Sequence, residues 1–462
     1  MRQHLSALVQ AGNPLGPNLR RYRNSSLRTY HSAIRLQKAV PMQYGRVTTG
    51  ERIVDRARAY EARTLAILFV TLGATMLDRM TQIFLGPNLV RDLHLTNVQI
   101  GIMAAALSMG WGISAFVFGF VSDRVGRKAV LIPAVIAFSF LSALSGRART
   151  YEELLLVRTL LGLAEGPCWS AILALMDASS APERRGRNLG IVNSAGTLVG
   201  SAIAPIFATQ IAARFGWRAA FFAAGIPGLI CALLIALLIQ EPPRAAARSR
   251  NGLAGLAAVI KNRDIWLCLV GAFLMACWVF GFSVFAPLYV TQVMGLPVTT
   301  SGFLMGASGL GGFAASLLWP TLSDRIGRRP ALIFSASAAA VLPLAFLWPY
   351  LHNNYWLLVS AAFLFTAGPA AMALTMVIIP VELVGRAFAA TAIGLVSIGA
   401  DLFGATLGPI VGGRLADHFG LIAPMLMASA CAALLVVVGL AVRETAPGME
   451  SNEARARAGV EC

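Results

Sequence analysis

Five ionisable side chains stand inside long apolar runs of the chain: Asp78 and Arg79, Arg158 and Glu165, and Asp401. A charge at the centre of a bilayer costs about 2.5–3.5 kcal/mol on insertion scales, so a residue kept there faces a cavity or a partner and carries out a task. An arginine stays protonated and can grip a carboxylate through two parallel N–H bonds. A carboxyl group held away from water can carry a proton at physiological pH. The chemistry expected is anion binding at Arg79 and Arg158 and proton carriage at Asp78 and Glu165, Glu165 being the stronger candidate. Arg158, Gly162 and Glu165 fall within about two helical turns and share one face. An anion beside Arg158 would change the field at Glu165 and so link substrate to proton. The alternative is a fixed ion pair that holds two helices together.

Asp401 lies in Ser397-Ile398-Gly399-Ala400-Asp401-Leu402-Phe403-Gly404. Three roles stay open for it: binding a substrate hydroxyl, coupling, or a packing hydrogen bond. Tyr289 is a further substrate-binding candidate, with Gln292 and Asn193 behind it. A single polar residue in a membrane helix more often bonds another helix. Trp111, Trp169 and Trp278 are either packing groups or interface anchors.

Positioning these groups falls to membrane helices. Of 462 residues, 57% are hydrophobic and only 13% charged, and the mean hydropathy is +0.69. A soluble chain is about a quarter charged. Apolar blocks of the roughly 20 residues needed to cross the hydrocarbon recur from residue 64 to residue 442. They lack the period-two alternation of barrel strands, so helices must satisfy the backbone. Twelve spans are expected near 64–87, 97–121, 129–146, 152–177, 188–212, 217–239, 265–292, 299–320, 330–350, 355–379, 387–412 and 419–442.

The formal net charge is +17. Its basic residues lie in short loops and the N-terminal segment, a positive-inside pattern rather than a nucleic-acid surface. Loops after even-numbered spans carry Arg124, Arg127 and Lys128, then Arg184, Arg185 and Arg187, then Arg325, Arg328 and Arg329, then Arg386. The opposite loops carry fewer. Both termini are therefore expected in the cytoplasm. The six cysteines form no CxxC pair and read as small hydrophobes. With no metal-ligand or nucleotide-binding constellation, no cofactor and no enzyme activity are expected, and an ion gradient must supply the motive force.

Five regions follow. Residues 1–62 are basic and acid-poor, and read as a disordered cytoplasmic tail, with Met42 an alternative start, rather than as a targeting peptide. Residues 63–240 form one six-helix half, 241–264 a cytoplasmic linker with Arg244, Arg248 and Arg250, 265–443 a second half, and 444–462 a cytoplasmic tail. The halves repeat. Gly119-Phe120-Val121-Ser122-Asp123-Arg124-Val125-Gly126-Arg127-Lys128 follows span two. Pro320-Thr321-Leu322-Ser323-Asp324-Arg325-Ile326-Gly327-Arg328-Arg329 follows span eight.

These residues resemble the major facilitator superfamily, whose most specific motif is GxxxDRxGRK between spans two and three. The resemblance covers about residues 63–443. It implies an all-α integral membrane protein of twelve transmembrane helices in two pseudo-symmetric halves, monomeric, in the inner membrane. It also implies that both motif copies act as a gate latching the cytoplasmic side in the outward-open state. Gly119 and Gly126 are expected to allow close approach and a tight turn, and Pro320 to re-angle the end of span eight. A finer resemblance is to the anion:cation symporter branch, on Leu77-Asp78-Arg79-Met80 and on Arg158-Thr159-Leu160-Leu161-Gly162-Leu163-Ala164-Glu165-Gly166. Members often carry Asn soon after the Asp-Arg pair, where this chain has Met80 and Thr81. The branch implies proton-coupled uptake of an organic anion, a sugar acid or an aromatic acid, by alternating access. Under that reading alanine at Arg158 abolishes uptake and leaves the protein folded. Proton-coupled export of drugs or metabolites and a transporter-like receptor are the alternatives. The Gly408-Pro409-x-x-Gly412-Gly413 element lies in span eleven, not in span five where exporters carry it, which favours import.

Overall fold

The computed structural model describes residues 47–241, 259–352, 354–385 and 388–446. The N-terminal stretch to residue 46, linker residues 242–258 with Arg244, Arg248 and Arg250, Arg386, the C-terminal stretch from residue 447, and the side chain of Asp123 lie outside the described residues. The chain divides into Met1–Tyr60 and Glu61–Cys462. Every site residue discussed below belongs to the second unit.

Twelve helices are long and apolar enough to cross a membrane: α1 (Asp55–Phe84), α2 (Asn97–Gly119), α3 (Arg127–Ser145), α4 (Tyr151–Ser179), α5 (Arg185–Phe215), α6 (Trp217–Leu238), α7 (Arg263–Gln292), α8 (Val298–Ile326), α9 (Arg328–Leu347), α10 (Tyr355–Val384), α11 (Thr391–Phe419) and α12 (Ile422–Ala441). They form two six-helix halves. Successive helices run antiparallel. All loops bearing the basic motifs therefore fall on one face, the motif face, and the loops after α1, α3 and α5 on the far face.

Local chemistry sets the helix ends. Thr96 accepts from the Gln99 N–H, and the Gln99 side chain accepts from the Thr96 N–H, a reciprocal cap that starts α2. Thr150 does the same one-sidedly for α4. Gly126 (φ +123°) and Gly327 (φ +100°) stop the helices they follow and start α3 and α9. Both are in a region that a side chain would strain, so the two motif copies turn the chain in the same way. Pro320 does not interrupt its helix. The helix runs unbroken from Val298 to Ile326, and the Pro320 carbonyl accepts from the Ser323 hydroxyl at 2.6 Å.

Three spans widen into π-helical turns: α5 at Leu198–Ile203, α10 at Leu374–Ile378 and α11 at Ile398–Gly404. Such turns leave a carbonyl out of the regular ladder and often mark functional positions. Asp401 is within the third.

The halves meet along α2 with α11 and α5 with α8. Toward the far face the approach is tight. A Cβ on Gly101 would strike the Pro409 carbonyl oxygen, and one on Gly309 the Ser201 carbonyl oxygen. At that face Asp417 of α11 accepts from the Asn97 N–H (3.0 Å), the Asn97 side-chain amide (2.8 Å) and the Val98 N–H (3.1 Å). The carboxylate thus caps the start of α2 across the two halves, where the helix dipole favours an anion. Toward the motif face the same helices stand open: a Cβ on Gly119, Gly190 or Gly394 would meet nothing within 4 Å. The molecule is closed at the far face and parted at the motif face.

Candidate functional site

Consecutive side chains on a helix point about 100° apart, and at the middle of α1 this separates Asp78 from Arg79. Asp78 turns into the interior of the first half. Its carboxylate accepts from the Ser142 hydroxyl of α3, which also donates to the Phe221 carbonyl of α6. Arg158 of α4 reaches the other Asp78 oxygen at 3.9 Å. Its guanidinium lies 4.2 Å from the centre of the Phe221 ring. Asp78, Arg158 and Glu165 are each 0% exposed. The three guanidinium nitrogens of Arg158 and both carboxyl oxygens of Glu165 have no hydrogen-bond partner among the described residues. The Glu165 carboxyl is near enough to that of Asp78 for the two to act on each other electrostatically. Two carboxylates facing each other in a dry site repel, so the arrangement is favourable with a proton between them.

Arg79 points to the space between the halves. It donates to the Ser108 hydroxyl of α2 at 3.2 Å, its one hydrogen bond among the described residues. Trp111 lies 4.4 Å from one face of the guanidinium, and Phe280 of α7 lies 5.8 Å away. A small cavity lined by Arg79, Gln82, Ser108 and Phe280 opens beside it. Glu165 and Asp401 both act electrostatically on Arg79. The guanidinium is thus within electrostatic reach of a carboxyl of the first half and of Asp401 of the second.

The structure therefore brings together Asp78, Arg79, Arg158, Glu165 and Asp401, but not in equivalent settings. Arg79 borders a cavity; Asp78, Arg158 and Glu165 are enclosed. Tyr289 is apart from them, edge-on to His352 with ring centres 6.2 Å apart. Gln292 and Asn193 are exposed. Trp278 is tied to the Ala339 carbonyl at 2.9 Å. Trp111, left ambiguous by the sequence, is the aromatic face on which Arg79 rests.

Each motif copy bonds within its own half. Arg127 donates to the Ala174 carbonyl of α4 at 2.6 Å. Lys128 donates to the Ala236 and Ile239 carbonyls at 2.7 and 2.8 Å. In the second copy Arg328 pairs with Asp324 at 2.6 Å and with Glu382 of α10 at 2.8 Å. Gly119 departs from its expectation: a Cβ there would meet nothing within 4 Å among the described residues, so it makes no close approach here. Arg124, Arg325 and Arg329 lie at the turns, and the Arg329 N–H meets Glu444 at 3.0 Å.

Glu444 and its counterpart Glu241 were not singled out in the sequence. Glu241 accepts from the Arg127 and Lys128 N–H groups at 2.7 and 2.8 Å, and Glu444 from those of Arg328 and Arg329 at 2.7 and 3.0 Å. Each carboxylate caps the helix that follows a motif from more than a hundred residues away. The only signal was an acid standing just past the sixth and twelfth apolar blocks. Glu241→Ala is expected to cost about 1 kcal/mol of stability, as the loss of a good N-cap does. A melt of the purified protein checks this, with Glu444→Ala as its symmetric partner.

The profile described as Major Facilitator Superfamily matches residues 67–402, well over half of the chain. The chain is 32% identical over 275 residues to a probable 4-methylmuconolactone transporter of Cupriavidus pinatubonensis, covering 57% of this chain and 63% of that one. It is 28% identical over 298 residues to the hexuronate transporter of Bacillus subtilis, covering 60% of this chain and 70% of that one. Among solved structures, a bacterial homolog to the human lysosomal transporter Spinster superposes with a TM-score of 0.70 at 19% identity, covering 83% of this chain and 97% of that one.

Proposed function

Because the chain belongs to the major facilitator superfamily, we propose that it is a secondary active transporter that takes up an organic anion together with protons. In this reading the motif face is cytoplasmic, the far face opens outward, and the protein resides in the inner membrane with both termini inside. The observation that carries it is Arg79, a permanently charged guanidinium at mid-membrane with one protein hydrogen bond, beside a cavity and next to a buried carboxyl pair. The remaining donors suit a carboxylate. Relatives named for a hexuronate and a muconolactone support an organic acid as cargo.

The proposed cycle divides the two arginines. Arg79 holds the anion. Arg158 fixes Asp78 and sets the field in which Asp78 and Glu165 share a proton. A bound anion cancels part of the positive field of Arg79 at Glu165, which favours the protonated pair. Anion and proton are thus loaded together. Asp401, within electrostatic reach of Arg79, competes with the anion for the guanidinium and so favours its release. Rocking of the halves about this midplane site completes the transfer. The two motif copies part from their own-half partners to latch the motif face when the far face opens.

The test is uptake of labelled organic acids into proteoliposomes with and without an inward proton gradient. Glu165→Gln is expected to abolish gradient-stimulated uptake while Kd for the anion changes less than about threefold, since the amide keeps the shape of the side chain but cannot cycle a proton. Gradient stimulation unchanged in that variant would remove Glu165 from coupling. Proton exchange on adding a lipophilic cation, without uptake of any acid, would establish the exporter alternative.

A further inference from the structure

A second cavity lies between the halves. Met80 of α1 and Val279 of α7 line it, each next in sequence to a residue that lines the cavity of Arg79. No ionisable side chain lines it. One wall is Trp278 and Phe282, whose rings stack with centres 5.6 Å apart and planes 9° apart. The wall is rigid: the indole N–H is spent on the Ala339 carbonyl, and Phe282 packs edge-on against Phe346 at 5.4 Å. Met80 and Phe84 line the cavity from α1. Its hydroxyls fall into two sets. Ser308 and Thr366 bond each other at 2.8 Å, and Thr366 also donates to the Ala362 carbonyl at 2.5 Å. Thr197, Ser201 and Ser283 have no protein hydrogen bond among the described residues and remain available.

Resting on the reading of Arg79 as the anion anchor, we propose that these cavities select a carboxylate on a compact, flat apolar ring bearing one or two oxygen atoms, and disfavour polyhydroxylated sugar acids. The guanidinium of Arg79 lies over the Trp111 ring and beside that of Phe280, so the frame behind a carboxylate bound there meets apolar surface. A planar ring can lie against the Trp278–Phe282 wall in the offset or edge geometry that aromatic quadrupoles favour. One or two ring oxygens find Ser283, Ser201 or Thr197. A hexuronate or aldonate brings a hydroxyl on nearly every carbon. Most would face rings and thioethers with no partner, and an unpaired buried hydroxyl is costly.

The experiment is calorimetric titration of the purified full chain with 4-hydroxybenzoate, benzoate, glucuronate and gluconate. Each is repeated on Ser283→Ala, Phe282→Leu and Arg79→Ala. The expected result is 4-hydroxybenzoate binding at least about tenfold tighter than either sugar acid, a difference of the size that unpaired hydroxyls produce. Ser283→Ala should narrow the gap between 4-hydroxybenzoate and benzoate, and Phe282→Leu should weaken both aromatic acids more than the sugar acids. Arg79→Ala should remove all binding. Sugar acids binding as tightly as, or tighter than, 4-hydroxybenzoate, and still lost in Arg79→Ala, would overturn this selectivity and leave the organic-anion reading intact. No binding of any acid would overturn both. Folding of each variant is checked by its melt, and Ser283→Ala, which removes a single oxygen from a half-buried side chain, is the variant that keeps the test decisive.

Discussion

Arg158→Ala is expected to abolish proton-driven uptake and also to destabilise the protein by about 3–5 kcal/mol, the cost of stranding one member of a buried ion pair. The sequence alone pointed to a binding residue whose loss leaves the fold intact. The structure changes the second half of that expectation. Arg158 is fully enclosed, 3.9 Å from Asp78 and stacked on Phe221. Without it, Asp78 loses the cation it pairs with, Glu165 keeps only Arg79 nearby, and a cavity replaces the guanidinium. Asp78→Asn combined with Arg158→Met should recover most of the lost stability, because replacing both members of a buried pair is often neutral. It should not recover transport, because the proton site is gone. Arg79→Ala makes the contrast. That side chain borders a cavity, so its loss should remove anion binding with little change in the melt. Thermal unfolding in detergent and uptake in proteoliposomes separate the three variants. Wild-type stability in Arg158→Ala would mean that Asp78 finds another partner, and wild-type uptake would remove Arg158 from the mechanism.

What the sequence could and could not reveal follows from the range of each signal. Apolar length is a local property, so the twelve helices were legible, and a repeated motif is a local match, so the two halves were legible. Orientation about a helix axis is not. Asp78 and Arg79 are neighbours in sequence, and nothing local says which one faces Ser142 and which one faces Phe280. For the same reason Arg79 and Arg158 looked alike as anion ligands, though only one of them borders a cavity. Contacts across hundreds of residues were also invisible. Nothing in the sequence singled out Asp417, which folding brings onto the first turn of α2, 320 residues away. Glu241 and Glu444 became caps in the same way. Gly119 shows a further limit. The repeated motif marks it in the sequence, and the space a Cβ there would meet within 4 Å is empty among the described residues.

That last point carries the second large effect. Gly101→Leu is expected to hold the far face open and to reduce uptake severely. In the closed far face, a Cβ at position 101 overlaps the carbonyl oxygen of Pro409, and backbone cannot yield as the tip of a flexible side chain can. Overpacking of this kind costs about 1–3 kcal/mol, which shifts a two-state equilibrium by roughly five- to 150-fold. The three hydrogen bonds from the start of α2 to Asp417 would be lost with the closure. Gly119→Leu is the mirror experiment. Its Cβ meets open space in the state described, so that state tolerates the leucine. The side chain would obstruct only if the motif end of α2 must pack when the motif face closes. A cysteine replacing Phe84, which lines the cavity between the halves, reports the balance through its labelling rate by an impermeant maleimide added from the far side. Gly101→Leu should raise that rate and Gly119→Leu should lower it, with both variants transporting poorly. Opposite shifts from two glycines on one helix would establish that α2 works as a lever between two closures. Equal rates would mean that the halves do not rock about this contact.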